Sequence, residues 1–377
     1  MTITQFPFIE IHGTPRERGQ RYGAAAAARI AQGIRHYLTQ FNEYGLDNVA
    51  IGRHVESYLP RIRAYDDKLV EEMRGIAEGA KVEFEAVVLL NARTELLHEA
   101  RDVARRAREQ ERQAPDGCTG VVVMPTAAAE GRLIHALNWD WKAECAETSI
   151  VLHIRREDGP DVLTFAEAGS VARAGVNSAG IAITANYIES DRDFQKPGIP
   201  LPLLRRKALE AETYAKAIDV IVSTEKLISN NLILSHRDGV AIDFECAPSE
   251  TFAIHPEGGL LVHANHWTHT AALSKYRDVG ILNTPDSLYR DERVRTLLRP
   301  DAGALTRQHV GAALRDDFGA PYAVCRPPLP NPRGDLTATV ATLIIDSTEG
   351  TIEITPLPAL NRQSTLYGFG RQPVATA

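Results

Sequence analysis

The fold is decided around residues 117–124, which have the sequence GCTGVVVM. The threonine and the valines of this stretch favour a β-strand that begins at Cys118. The chain before Gly117 has mostly helical patterns, whereas the chain after it contains many short runs typical of strands. The sequence therefore predicts a helical N-terminal segment, residues 1–117, followed by a strand-rich segment, residues 118–377.

The N-terminal segment begins with a short apolar run, Phe6–Ile11, that predicts an edge strand. Thr14 and Glu17 then form a capping box, and Pro15 fits the first turn of the helix that follows. The alanine-rich residues 23–37 favour continuation of that helix. Further helices are expected at 62–80 and 84–97, and a charge-dense solvated helix or loop is expected at 101–113.

The strand-rich segment predicts runs of strands that are interrupted by a few helices. Such runs, without strict alternation of strands and helices, indicate an α+β fold with mostly antiparallel sheets. We find no internal repeat and no flexible linker between the two segments. The expected strands lie at 118–124, 131–139, 149–156, 162–168, 172–186, 231–235, 240–245, 251–255, 260–264, 339–346 and 350–355, and the expected helices at 203–223, 287–298 and 306–315.

The composition excludes several functional classes. With 24% charged and 44% hydrophobic residues, the chain is expected to fold, around one large core or two modest ones. A net charge of −7 without a basic cluster argues against a nucleic acid or an anionic membrane as partner. Neither a membrane-length apolar run nor a signal peptide is found, so we expect a cytoplasmic protein.

The four cysteines are Cys118, Cys145, Cys246 and Cys325, and no two of them form a Cys-x-x-Cys pair. A zinc ribbon or a thioredoxin-type site is therefore unsupported, and four cysteines in a chain of this length do not make a disulfide scaffold. We expect most of them to be buried structural residues, with a reactive thiol as the alternative for each. No cofactor and no bound metal are expected.

One cysteine follows a glycine at the boundary between the two segments. The Cys118 thiol can attack the carbonyl carbon of Gly117, which converts the peptide bond into a thioester that water cleaves. Gly117 suits this step because it lacks a Cβ atom and tolerates strained dihedral angles. Cys118 would then be N-terminal, with its own α-amino group as the base, because the pKa of that group lies near neutrality.

Several residues of interest also have ordinary structural interpretations. His263, His266 and His269 have a spacing that would bind a metal on a helix, or one of them could serve as the base of a papain-like cysteine enzyme. The apolar residues before them favour a strand that runs into a loop, so structural or surface histidines are the simpler interpretation. Taken alone, Asp140 fits a strand end and Arg326 fits a surface charge.

Motifs along most of the chain together resemble the acyl-coenzyme A:6-aminopenicillanic acid acyltransferase family, peptidase family C45, within the N-terminal nucleophile hydrolases. They occur in the order of the family, and as a set they are specific. They are IHGTP at 11–15 with Gly19 and Gly23, RGIAEG at 74–79, LNARTE at 90–95, DGCT at 116–119, NWD at 138–140, EAG at 167–169, GVNSAG at 175–180, HANH at 263–266 and Cys325-Arg326.

This resemblance implies a four-layer αββα sandwich, in which the two segments are the α and β chains of one self-cleaved precursor. Cleavage would fall between Gly117 and Cys118, with Cys118 as the nucleophile. By position, Asp140 matches the acid of the Asn-Trp-Asp motif, Asn265 the residue taken to stabilise the oxyanion, and Arg326 an active-site arginine. Asn186, Tyr187 and Trp139 are expected to line the substrate pocket.

The predicted function is hydrolysis of the amide bond of a small N-acylated substrate through a thioester acyl-enzyme. The first alternative is an acyltransferase that moves an acyl group from a coenzyme A thioester or an amide to an amine such as a β-lactam nucleus. The second alternative is a non-catalytic binding protein that retains the fold. Gly120 stands where the fungal member of the family has threonine, and assembly into a homo-oligomer is left open.

Overall fold

A computed structural model describes residues 4–43, 45–107, 117–330 and 336–376. Its N-terminal elements are strand β1 and four helices. Residues 108–113 of the charge-dense stretch lie outside the described residues, and so does the predicted turn before Gly117. The bounds are β1 Phe8–Ile11, α1 Pro15–Glu43, α2 Asn48–Tyr65, α3 Asp67–Ala80 and α4 Phe84–Ala107.

The remaining elements comprise fifteen strands and six α-helices within the described ranges. They are β2 Gly117–Val123, β3 Ile134–Lys142, α5 Cys145–Thr148, β4 Ser149–Ile154, β5 Val162–Glu167, β6 Ala174–Asn177, β7 Ile181–Tyr187, α6 Leu201–Leu209, α7 Tyr214–Ser223, β8 Asn230–His236, β9 Val240–Cys246, β10 Thr251–Ile254, β11 Leu260–His263, α8 Thr270–Leu273, α9 Ser287–Leu298, α10 Arg307–Leu314, β12 Leu329–Pro330, β13 Leu336–Asp346, β14 Thr351–Pro356, β15 Ser364–Gly368 and β16 Arg371–Thr376.

The strands form two sheets. The first has the order β1-β4-β5-β6-β7-β8-β9-β10, and the second has the order β11-β2-β3-β13-β14-β15-β16 with β12 beside β13. Every pairing is antiparallel except that of β1 with β4, which places the N-terminal strand at the edge of the first sheet. The predicted edge strand and the predicted antiparallel sheets are therefore confirmed.

The two sheets pack face to face between layers of helices. Strands β2 and β3 contact β7 across the interface, and their residues are buried along the whole strand. Helix α6 covers the outer face of the first sheet at β6 and β7, while α9 and α10 cover the second sheet. This arrangement is the α+β, four-layer αββα sandwich that the sequence predicted.

Helices α1 and α3 cross at unusually short distance. A Cβ atom added at Gly23 would lie 2.2 Å from the Ile76 carbonyl oxygen, and one at Gly75 would lie 2.1 Å from the Arg16 carbonyl oxygen. Small residues allow the two backbones to touch, which explains the glycines of the first two motifs. The capping box at the start of α1 is also present, because the Thr14 backbone N–H donates to Glu17 Oε2 at 2.9 Å.

Two predicted helices are each divided in the structure. The helix expected at 62–80 starts within α2 and restarts at α3, because Asp66 leaves the helical conformation and its Oδ1 accepts from the Lys68 backbone N–H at 2.9 Å. The helix expected at 203–223 is α6 and α7, with Thr213 capping the second. Strands β15 and β16 and helix α5 were not predicted.

Candidate active site

Cys118 lies near the start of a central strand of the second sheet. Strand β2 pairs with β11 on one side and with β3 on the other, which sets Cys118 opposite Trp139 and Gly117 opposite Asp140. The Cys118 side chain is 4% exposed. The register of β2 and β3 therefore brings the Asn-Trp-Asp motif beside the Gly117–Cys118 peptide bond.

Asn265 binds the backbone nitrogen of Cys118. It follows β11, and its Oδ1 accepts from the Cys118 backbone N–H at 2.6 Å. Its Nδ2 donates to the Tyr187 carbonyl oxygen at 2.7 Å, which leaves a second Nδ2 hydrogen for another acceptor. The amide is thus oriented with its oxygen toward the nitrogen that cleavage would release.

Asp140 and Arg326 lie together against Gly117. The two atoms Asp140 Oδ2 and Arg326 Nε are 3.3 Å apart, and the Thr339 hydroxyl donates to Asp140 Oδ1 at 2.7 Å. A Cβ atom at Gly117 would lie 2.7 Å from Asp140 Oδ2 and 2.9 Å from Arg326 Cζ. Burial raises the pKa of Asp140 to about 6, although the charge of Arg326 acts in the opposite direction.

Arg290, on α9, is a member of this site that sequence reasoning missed. Its Nη1 donates to the Cys118 carbonyl oxygen at 2.7 Å, and its Nη2 donates to Asn265 Oδ1 at 2.8 Å. Asp286 binds it in turn, since Arg290 Nε donates to Asp286 Oδ2 at 2.8 Å, and Arg326 also donates to that carboxylate. Arg290 is fully buried, and no local pattern distinguished it from the surface arginines of the same helix.

The Cys118 thiol is protonated in the uncleaved chain at neutral pH. Burial raises the pKa of this thiol above its ordinary value, while the charge of Arg173 lowers it. A buried neutral thiol is a weak nucleophile, so the site requires a base to activate it.

A cavity of about 30 Å³ opens beside Cys118, Gly117 and Asp140. This is room for about one water molecule. Three arginines contribute to its wall, one from α4, one from the residue before β6 and one from α6. The remaining wall consists of the side chains or backbone of nine residues, and the full set is Arg93, Thr94, Gly117, Cys118, Asp140, Trp141, Arg173, Ala185, Tyr187, Leu201, Arg205 and Asn265.

Of the three residues expected to line the pocket, one lines the cavity beside Cys118 and two do not. Tyr187 lines the cavity and also accepts the hydrogen bond from Asn265. Trp139 is fully buried against Phe165 instead, and its neighbour Trp141 reaches the cavity. Asn186 lies between the sheets, where its Nδ2 donates to the His263 carbonyl oxygen at 2.8 Å, and it does not line the cavity.

The three histidines at the end of β11 and in the residues after it are engaged away from the Cys118 thiol. His263 uses both ring nitrogens, with Nδ1 2.9 Å from the Ala264 carbonyl oxygen and Nε2 3.0 Å from Glu245 Oε1. His266 Nδ1 lies 2.8 Å from the Ser287 hydroxyl, and His269 caps α8. These contacts support the structural interpretation. Among the residues that the structure describes, no group of three or more His, Cys, Asp or Glu side chains is arranged to hold a metal.

Comparison with known proteins decides the family. Residues 127–356 match the model of the family described as acyl-coenzyme A:6-aminopenicillanic acid acyl-transferase, which is more than half of the chain. The chain belongs to this family. The acyl-coenzyme A:6-aminopenicillanic-acid-acyltransferase 40 kDa form of Emericella nidulans is 29% identical over 327 residues, a match that covers 84% of each protein.

Two solved structures were also found to be similar. A variant of conjugated bile acid hydrolase from Clostridium perfringens is 12% identical with a TM-score of 0.49, covering 69% of this chain and 96% of that one. Penicillin V acylase from Agrobacterium tumefaciens is 14% identical with a TM-score of 0.44, covering 67% of this chain and 86% of that one.

Family membership confirms the predicted resemblance and the prediction of an enzyme. The chain belongs to the class of amide-acting hydrolases and acyltransferases. The alternative of a non-catalytic binding protein is therefore set aside. Of the helices that the structure describes, none combines the length and the apolar character that a membrane span requires.

Proposed function

We propose that this chain is a precursor that cleaves itself before Cys118 and then acts as a cysteine amidase. The observation that carries the proposal is two pairs of polar side chains at Gly117 and Cys118, one pair against each residue. Asp140 and Arg326 lie against Gly117, and Asn265 and Arg290 bind the nitrogen and the carbonyl oxygen of Cys118.

In the processing step, Cys118 Sγ attacks the carbonyl carbon of Gly117. The C–N bond breaks, a thioester forms, and the thiol proton passes to the nitrogen that leaves. Water then hydrolyses the thioester, which yields a carboxylate on Gly117 and a free thiol and α-amine on Cys118. Because Gly117 lines the cavity, its departure would widen the space beside the nucleophile.

In turnover, the α-amine of Cys118 takes the thiol proton, and Sγ attacks the amide carbonyl of the substrate. Asn265 Oδ1, already 2.6 Å from this nitrogen, is placed to hold the amine in position. The second hydrogen on Nδ2 is available to the developing oxyanion. The amine returns its proton to the leaving nitrogen, and water releases the acyl group from the thioester.

An acyltransferase remains the second candidate, supported by the name of the Emericella relative. It differs in one step, because an amine rather than water attacks the acyl-enzyme. Purified enzyme supplied with a thioester donor, with and without a competing amine, separates the two. An amide product that increases with amine concentration at the expense of free acid would identify the transferase.

Mass spectrometry of freshly expressed protein tests the processing step. Wild type is expected to give two chains that part between Gly117 and Cys118, while Cys118→Ala gives one. Gly117→Ala is expected to slow cleavage at least about tenfold, because its Cβ would displace Asp140 and Arg326 from the scissile bond.

Gly120→Ala is the matched control in the same strand. Its Cβ would meet the end of the Ile233 side chain at 2.6 Å, which can shift, so cleavage should continue. A wild-type chain that stays whole while it hydrolyses amides would contradict the processing proposal. Full amide turnover by Cys118→Ala would contradict the proposed nucleophile.

A further inference from the structure

The cavity beside Cys118 contains more positive charge than its surroundings balance. Three of its lining residues are arginines: Arg93, Arg173 and Arg205. Arg93 is paired with the buried carboxylate of Glu167. Neither Arg173 nor Arg205 lies within ion-pair distance of a carboxylate in the part of the chain that the structure describes, and neither guanidinium donates a hydrogen bond there.

Arg205 is the more buried of the two. It lies on α6, is 7% exposed, and its Nε has no hydrogen-bond partner among the described residues. A buried cation without a counter-ion is unfavourable, and a ligand that supplies the opposite charge would relieve that cost. Burial lowers the pKa of Arg205 to about 9, and the charge of Arg173 acts in the same direction, whereas the charge of Glu95 opposes it.

Arg173 sits before β6 over the Trp139 ring, with its Cζ 4.0 Å from the ring centroid. The indole face stabilises the cation without neutralising it. The Nε of this arginine is buried and likewise has no hydrogen-bond partner in the described part of the chain. Trp139 thus contacts the guanidinium of a cavity-lining arginine without lining the cavity itself. This contact gives the tryptophan of the Asn-Trp-Asp motif a function other than the one the sequence predicted.

The nearby acids form no ion pair with these two arginines within the described residues. Arg205 donates no hydrogen bond to Glu95, whose Oε1 accepts from the Leu201 backbone N–H at 2.7 Å. Burial raises the pKa of Glu95, although the charges of Arg205 and Arg93 act in the opposite direction. Asp140, which also lines the cavity, is paired with Arg326.

We propose that Arg173 and Arg205 bind a carboxylate of the substrate, so that the amide hydrolysed at Cys118 is an acidic one. This assignment rests on the proposed function of Cys118 and adds the chemical class of its substrate. Two guanidinium groups can bind the two oxygens of one carboxylate, which would orient the scissile amide toward Sγ.

Two alkylating reagents of almost equal size test the site without a known substrate. Iodoacetate and iodoacetamide both transfer a two-carbon group to a thiolate as iodide leaves, and they differ in one negative charge. The ratio of their rates at Cys118 is measured by peptide mass spectrometry in the folded enzyme and again in urea. We expect the folded protein to favour iodoacetate by at least about tenfold more than the unfolded protein does.

Variants test whether the preference for iodoacetate depends on the two arginines. Arg173→Gln and Arg205→Gln are expected to lower the ratio to its value in urea, and Arg205→Lys to retain part of it. Arg132→Gln is the control, because Arg132 pairs with Glu349 at the exposed surface. Equal ratios in the folded and unfolded wild type would overturn the proposal, even when cleavage and turnover proceed normally.

A substrate panel then decides which half of the amide carries the acid. N-acylglycines are compared with the corresponding N-acyl methylamides, and monoamides of dicarboxylic acids with their methyl esters. The proposal is supported if the acidic substrate of one pair has the higher kcat/KM and if Arg205→Gln abolishes that advantage. The pair in which this occurs shows which half of the amide carries the carboxylate.

If Arg205→Gln alters only the rate of self-cleavage, the arginines serve the Gly117 carboxylate of the precursor instead, and the proposal is wrong. Failure of wild type to cleave in the same mass spectra would count against the proposed function, not against the arginine site.

Discussion

At the scale of single residues, the burial of Asp140 has a measurable consequence for stability. Its pKa is raised from 3.8 to about 6, chiefly by burial, so the folded protein binds this proton more tightly than the unfolded chain does. The resulting stabilisation is complete below pH 3.8 and is lost as the pH rises through 6. At neutral pH, the ionised carboxylate therefore destabilises the fold, by about 2 to 3 kcal/mol.

Asp140→Asn should remove this dependence. In a Cys118→Ala background, which keeps both proteins uncleaved, we expect the asparagine variant to be the more stable at pH 7 and the difference to shrink toward pH 4. Urea unfolding at several pH values measures it. A difference that stays constant over this range would mean that Asp140 is ionised throughout.

At the scale of elements, the crossing of α1 and α3 depends on the absence of side chains. Gly23→Ala would place a Cβ atom 2.2 Å from the Ile76 carbonyl oxygen, so the helices must separate. We expect a loss of about 1 to 3 kcal/mol in the free energy of unfolding. Thermal unfolding of the uncleaved Cys118→Ala protein measures it under two-state conditions.

The matched control is Gly52→Ala within α2. A Cβ atom there meets nothing within 4 Å, so alanine should stabilise the helix by about 0.4 to 1 kcal/mol. If the two substitutions had equal effects, helix propensity rather than the crossing would govern position 23.

At the scale of the whole molecule, the two chains that the proposed cleavage would produce should remain one particle. Strand β1 completes the first sheet beside β4, and Phe6 exchanges hydrogen bonds with Tyr367. Glu72 of α3 is fully buried against Arg206 of α6, at 2.9 Å. Separation would expose these pairs and much of the core, at a cost of several kcal/mol.

Gel filtration of the processed protein is expected to give one peak that contains both chains. They should part only in denaturant, and Glu72→Gln should lower the denaturant concentration required, because it leaves Arg206 with less compensating charge. Two chains that elute separately in buffer would show that the segments are independent domains.

Most residues of the candidate site could be named from the sequence, but one could be found only in the structure. Cys118, Asp140, Asn265 and Arg326 were named from motifs, and the structure brings them together, although their catalytic roles stay predictions. Arg290 was missed because its partner Cys118 is 172 residues away, and a buried arginine on a short helix has the same local pattern as an exposed one.

The sequence by itself determined the change from helices to strands at Cys118, the capping of α1, most strand positions and the family. Each of these depends on neighbouring side chains, whose spacing sets local conformation and hydrophobic face. Only the tertiary structure decided that Asp66 divides a helix, that Trp139 faces away from the cavity, and that Arg173 and Arg205 line one cavity with no counter-ion among the described residues. Those features arise from contacts between distant segments, where burial and register, rather than local preference, determine the energy.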